Sequence, residues 1–220
     1  MSTQEQAKGA PPDLVDPTMI GVQPRTTRGQ RTRDNLIHAA RTVFERDGYL
    51  DSRLVDIAAE AGCSVGSIYT WFEGKDEIFA AVLHEAQNDM LNPGTGRIAA
   101  QDDPVAIIAA SNQAYFEAYA RNARLNRLLI QVAEIDPRFR AMRRARAEAF
   151  FTRNARAITD LQRRGLADPE VDPQLASMAL SGMVSNVAAD AYSLAEDYPT
   201  EQVVRTVTRL WTNALGLTAP

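Results

Sequence analysis

Nowhere in this 220-residue chain do apolar and polar residues alternate in a sustained period of two, while apolar residues return every third or fourth position along most of it. That spacing lines up one face of a helix, so the expected fold class is all-α. Leu36, Ile37, Ala40, Val43 and Phe44 make the first such face, and Asp47-Gly48 ends it, glycine past the last turn being a stop signal. A short helix is expected over Arg53–Ala61, with Leu54, Ile57 and Ala58 inward and Ser52 as its N-cap. Gly62 supplies a left-handed turn, and Ser64 caps a further helix to near Phe72. Gly74 then opens a longer helix to about Leu91, with Glu77 at the capping-box position. Beyond the loop "NPGTGR" (Asn92–Arg97), helices are expected over 104–121, 125–134, 137–164, 173–195 and 200–215. Pro104, Pro137 and Pro173 fall in first turns, where proline is tolerated.

Residues 1–24 hold Pro11, Pro12, Pro17 and Pro24 with little periodicity, and read as a disordered leader. The organisation that follows is a leader over 1–24, a small helical unit over 25–80 and a larger helical domain over 81–220.

Composition narrows the classes. No apolar run approaches the roughly 18 residues of a membrane span. Cys63, the one cysteine, has no internal partner for a disulfide, which points to a reducing cytoplasm. A net charge of −4 argues against a surface coated with base. The charge is nevertheless uneven: residues 25–48 are net +3, leaving −7 for the remainder. A basic end on an acidic chain is a pointer to nucleic acid. His38 and His84 lie in separate helical segments, and no H-E-x-x-H, Walker or dinucleotide fingerprint is present. No enzyme activity, catalytic residue, metal site or cofactor is expected.

Two short helices joined by a tight glycine turn, Leu54–Phe72, make a helix-turn-helix pattern. Such a unit lays its second helix in the DNA major groove, which needs small residues in front and bulky ones behind. Ser64-Val65-Gly66-Ser67 followed by Tyr69, Trp71 and Phe72 has that order, although a plain helical hairpin remains open on spacing alone. The stretch "LIHAARTVFERDGYLDSRLVDIAAEAGCSVGSIYTWFEGKDEIFAAVL" resembles the DNA-binding domain of TetR-family transcriptional regulators. The likeness spans about Thr32–Leu83 and includes Ala39-Ala40, Phe44, Gly48-Tyr49, Asp56-Ile57-Ala58, Ala61-Gly62, Ser64, Gly66, Ile68-Tyr69, Phe72 and Lys75. It departs from the family pattern at Arg53, where Thr or Ser is usual, and at Cys63, which reads as a small buried hydrophobe.

The resemblance implies a two-domain, dimeric regulator, most often a repressor, that binds a palindromic operator in double-stranded DNA and is released by a small-molecule effector. Val65, Ser67 and Thr70 are candidates for base-edge contact or its surroundings, Ser64 caps the reading helix, and Gly66 lets the backbone approach. Tyr69 resembles the family tyrosine that bonds a phosphate. Lys75, at a helix start, is a second phosphate candidate, and Arg53 a further one. Trp71 reaches either the DNA backbone or the first helix. Arg25, Arg28, Arg31 and Arg33 supply either a DNA-contacting arm or a solvated tail.

In the larger domain, Phe139, Met142, Phe150, Ile158 and Leu161 keep a core spacing, and Arg146 and Asn154 fall near the same stripe. A buried polar group needs a partner: an effector, or an acid such as Glu117 or Glu134. Tyr115 and Tyr119, beside Phe116, add aromatic lining to a pocket or simply to a core. The expected effector contacts are thus Tyr115, Tyr119, Arg146, Phe150 and Asn154. The nine arginines between Arg138 and Arg164 read as a solvated helix face. Ala179, Gly182 and Asn186, with Val207 and Trp211 on the last helix, would form the dimer interface that the resemblance implies. A reading from another class is a helical small-molecule-binding or catalytic protein with a vestigial helix-turn-helix.

Overall fold

The computed structural model describes residues 17–91, 103–193 and 198–217, and all regular structure among them is helical. A single 3-10 turn, Pro17–Ile20, precedes α1 (Thr27–Asp51), α2 (Leu54–Glu60), α3 (Val65–Ile68) and α4 (Lys75–Leu91). Then come α5 (Pro104–Arg121), α6 (Ala123–Ile135), α7 (Pro137–Arg163), α8 (Pro173–Ser193) and α9 (Thr200–Ala214). The leader's first sixteen residues and the NPGTGR loop lie outside the described residues.

The helix starts follow local chemistry. Asp103 and Asp136 place a carboxylate on the first free N–H groups of α5 and α7, each with proline behind the cap. Glu77 reaches back from α4 to accept from the Glu73 N–H at 2.8 Å. Gly48 breaks α1 at φ 81°, a conformation costly for any residue with a Cβ, and one further turn carries the chain to Asp51. Ser52 does not cap α2. It is buried, its hydroxyl donates to the Tyr49 carbonyl at 2.9 Å, and Arg53 occupies the N-cap position without a side-chain cap bond.

A second difference concerns the leader. Residues 17–24 are docked, not loose. Met19 and Ile20 pack on the first core, and Arg33, expected in a DNA arm, is buried and donates to the Ile20 carbonyl at 2.6 Å. The Val22 N–H bonds the Trp71 carbonyl at 2.8 Å. Gly21 makes this docking possible. Its φ is +71°, and a Cβ there would stand 2.3 Å from the Trp71 carbonyl oxygen.

Two cores result. The first gathers Leu36, Val43, Phe44, Ile57, Ile68, Phe72 and Phe79, and is closed by Leu129 of α6 with Phe139 and Met142 of α7. The second lies among α5, α7, α8 and α9, around Phe116, Tyr119, Ile158, Val184, Val207 and Trp211. α7 therefore begins in one core and ends in the other. Among the described residues no helix is long and apolar enough to cross a membrane.

Candidate nucleic-acid interface and ligand cavity

α2 and α3 are joined by a turn in which Gly62 takes φ +66°. Ser64 caps α3, its hydroxyl accepting from the Ser67 N–H at 3.3 Å. Ile68 and Phe72 are fully buried and hold α3 on α1 and α4, while Ser64, Gly66, Tyr69 and Thr70 face outward and Val65 and Ser67 are half-buried. Gly66 is informative. A Cβ there would meet only Ser64 Oγ, at 3.7 Å, so nothing inside the chain requires glycine at that position. The space beside it is open to solvent.

Three of the expected contacts are placed differently. Lys75 Nζ donates to the carbonyls of Tyr49 (2.7 Å), Leu50 (3.2 Å) and Ser52 (2.9 Å), and lies 4.6 Å from the centre of the Tyr49 ring. An ammonium has three protons, and each has a carbonyl left over from the broken end of α1. Lys75 locks that corner, so its ammonium is engaged inside the chain and not simply held out at a helix start. Trp71 is half-buried and its ring abuts α1, since a Cβ at Gly29 would stand 2.8 Å from Trp71 Cη2. That contact is the packing alternative, against the first helix. Arg53 is exposed but forks onto Asp56 at 2.9 and 3.1 Å, a pairing that raises the guanidinium pKa and lowers that of Asp56. Arg25, Arg28 and Arg31 remain exposed at the start of α1.

Residues 36–82 match the family model of bacterial regulatory proteins of the tetR family. Over those residues the chain carries the DNA-binding domain of that family. It is 26% identical over 170 residues to the transcriptional regulator TtgR of Pseudomonas putida, covering 72% of this chain and 79% of that protein. It is 25% identical over 213 residues to EthR of Mycolicibacterium smegmatis, covering 90% and 96%. The fold also matches SmeT, the repressor of the Stenotrophomonas maltophilia multidrug efflux pump SmeDEF. There the TM-score is 0.66 and the identity 22%, over 84% of this chain and 91% of that one.

The larger half of the chain holds a cavity of about 420 Å³ between α5, α6, α7, α8 and α9. Tyr115, Tyr119, Arg146, Phe150 and Asn154 all line it, so helical phase brought the five expected residues to one wall. Tyr115 stacks edge-on against Phe150, 5.7 Å between ring centres. Arg146 donates to Asn126 Oδ1 at 2.8 Å, and Asn154 to Ser181 Oγ at 2.9 Å. The acids expected as partners, Glu117 and Glu134, lie on the surface. Burial lowers the Arg146 guanidinium pKa; Tyr115 and Tyr119 act against that shift and Arg143 adds to it.

Sequence reasoning missed Arg143, Arg153, Asn126 and Trp211, which line the same cavity. Arg143 and Arg153 stand three before and seven after Arg146 on α7; both are exposed, as a solvated face expects, and both also line the cavity. Trp211 and Val207 are corrections. Both are buried in the second core, Val207 2% and Trp211 7% exposed, and so are unavailable to a second copy. The outer face instead carries Leu175, Met178, Ala179 and Asn186 on α8 and Leu210 on α9, all exposed, with Gly182 half-buried between cavity and surface.

Proposed function

We propose that this protein is a TetR-family repressor that binds a palindromic operator as a homodimer and lets go when a small molecule fills the cavity. The organisation proposed is a helix-turn-helix DNA-binding domain over 25–80, and an effector and dimerisation domain over 81–220, working in the cytoplasm. The observation that carries the reading is the outward face of α3, with buried Ile68 and Phe72 behind it and unclaimed space at Gly66. Ser67 and Thr70 face the bases with Val65, while Tyr69, 59% exposed, contacts a phosphate. Arg28 and Arg31 reach the flanking backbone.

The exposed apolar residues of α8 and α9 pair with those of a second copy, giving a four-helix seam. A two-fold pair of reading heads then spans successive major grooves about 34–36 Å apart. α7, rooted in both cores, carries the effector's signal toward α4. An effector acts only through a difference in affinity between DNA-competent and DNA-incompetent spacings. The reading that makes the helix-turn-helix vestigial is not favoured, because α3 keeps an intact outward face.

A salt-titrated gel shift on DNA upstream of the chain's own gene, against random competitor, is the test. Specific retention at physiological salt with a two-fold footprint is expected. Equal retention of operator and competitor overturns the proposal.

A further inference from the structure

The cavity's wall has a charge pattern that bears on what enters it. Its lining includes three arginines, Arg143, Arg146 and Arg153, and no aspartate or glutamate among the described residues. The three share one face of α7. Arg146 is the inner one, between Tyr115, Tyr119 and Asn126. Arg153, exposed at the outer side of the cavity, lies over the Phe150 ring at 4.9 Å. The rest of the wall is largely apolar: Ile107, Ile108, Leu129, Ile158, Leu161 and Val184 among others.

An amide such as Asn126 accepts one hydrogen bond from a guanidinium but does not neutralise its charge. A carboxylate does both, and the planar fork of arginine matches it with two parallel bonds. A cation brought to the same place meets three like charges: Arg146, which is half-buried, and Arg143 and Arg153, which are exposed. A neutral molecule gains the apolar contacts and leaves the charge as it was. The volume is that of a small-molecule site, within the usual range of roughly 300–1,000 Å³.

We propose that the cavity is selective for amphipathic organic anions, with a carboxylate head at Arg146, Arg143 and Arg153 at its flanks, and an apolar or aromatic body against Phe150 and the aliphatic wall. The inference rests on the reading of this cavity as the effector site and adds the chemical class.

The test is calorimetric titration of the full-length protein at neutral pH with n-alkanoates of six to twelve carbons and with 4-phenylbutyrate. The amide and the primary amine of each skeleton are titrated in parallel. At least one acid is expected to bind, its amide at least tenfold more weakly, and its amine not at all. Arg146→Met is expected to weaken the acid by about 10- to 100-fold, the range of a lost charge-assisted hydrogen bond, while leaving the amide unchanged. If Arg146→Met does not fold, Arg146→Lys and Arg153→Gln decide. The lysine variant keeps the preference for acid over amide, and the glutamine variant reduces it. Amide or amine binding as tight as the acid, failure of every acid to bind, or an acid affinity indifferent to these substitutions overturns the proposal.

A gel shift separates this outcome from the functional reading. Acid binding that leaves operator affinity untouched removes the effector role and keeps the anion site. Operator release by amide or amine alone does the reverse.

Discussion

The two cores of this molecule are built to opposite specifications. In the first, Phe44, Tyr49, Phe79 and Phe139 form a closed aromatic cluster, Phe79 lying 5.0, 4.7 and 5.3 Å from the other three rings. In the second, an aromatic group of similar size, Tyr115, Tyr119, Phe150 and Trp211, stands around a hole. A reading head must hold α3 in one place, so its support is filled. A sensor must admit a guest, so its core is left incomplete. The sharpest test compares one phenylalanine from each. Phe79→Ala should cost about 3–5 kcal/mol, because a fully buried ring leaves a void. Phe150→Ala should cost about 1 kcal/mol, since that ring is half-buried beside space that already exists. Urea unfolding of both variants checks the contrast, and equal losses would mean that the cavity is not open in solution.

Lys75 supplies the next test. If it locks the corner after α1, Lys75→Met should lower stability by about 2 kcal/mol, the scale of one charge-assisted bond after partial exposure is allowed for. The salt dependence of operator binding should keep its slope. Loss of a phosphate contact would instead flatten that slope by about 0.9. Gly66 and Tyr69 should behave oppositely, as positions turned away from the chain. Gly66→Ala should stabilise by about 0.5–1 kcal/mol, as glycine-to-alanine changes in helices do, while operator affinity falls about tenfold. Tyr69→Ala should alter stability by less than about 0.5 kcal/mol yet weaken DNA binding on every sequence alike. A loss of stability matching the loss of binding at either site would return α3 to a plain helical hairpin.

The same contrast explains what could be read in advance. Most helix positions and the proline starts were legible because caps, glycine turns and periodicity act within a few residues. The helix expected to run from Ser64 to near Phe72, however, stops at Ile68, leaving Tyr69 and Trp71 in the turn behind it and Phe72 just after. The cavity's five expected residues were legible by phase, which gives a face without saying whether it meets a partner or a void. What escaped depended on atoms far apart in sequence. Lys75 finds the carbonyls of Tyr49, Leu50 and Ser52 more than twenty positions back. Arg33 was counted with an arm because nothing nearby shows that Ile20 folds over it. Trp211 was given to a dimer seam because an apolar stripe is the same whether it faces its own chain or another.

The smallest expected effect concerns the join between the two regions. Arg138, in the first turn of α7, bridges Asp136 at 2.7 Å and Asp76 of α4 at 2.5 Å. It thereby ties the helix that lines the cavity to the helix that carries the reading head. Arg138 and Asp76, the two groups that bridge the helices, are about half exposed (53% and 43%), so that pair adds little to stability. Its weight falls on coupling. Arg138→Ala should leave ligand affinity and operator affinity, each measured alone, nearly unchanged. The factor by which ligand weakens DNA binding should shrink severalfold, within the roughly 0.5–2 kcal/mol by which substitutions between sites modulate coupling. Acid should act in the same direction. The Arg138 hydrogen bond holds the Asp136 carboxyl below the ordinary carboxylate range. Its contribution is therefore complete above that range and is lost only as pH falls through the lowered value. The pairing of Arg138 with Asp136, which caps α7, should therefore be intact from pH 7 down to about 5. A coupling factor identical in wild type and Arg138→Ala would show that the two cores communicate through the packing of Phe139 and Met142 alone.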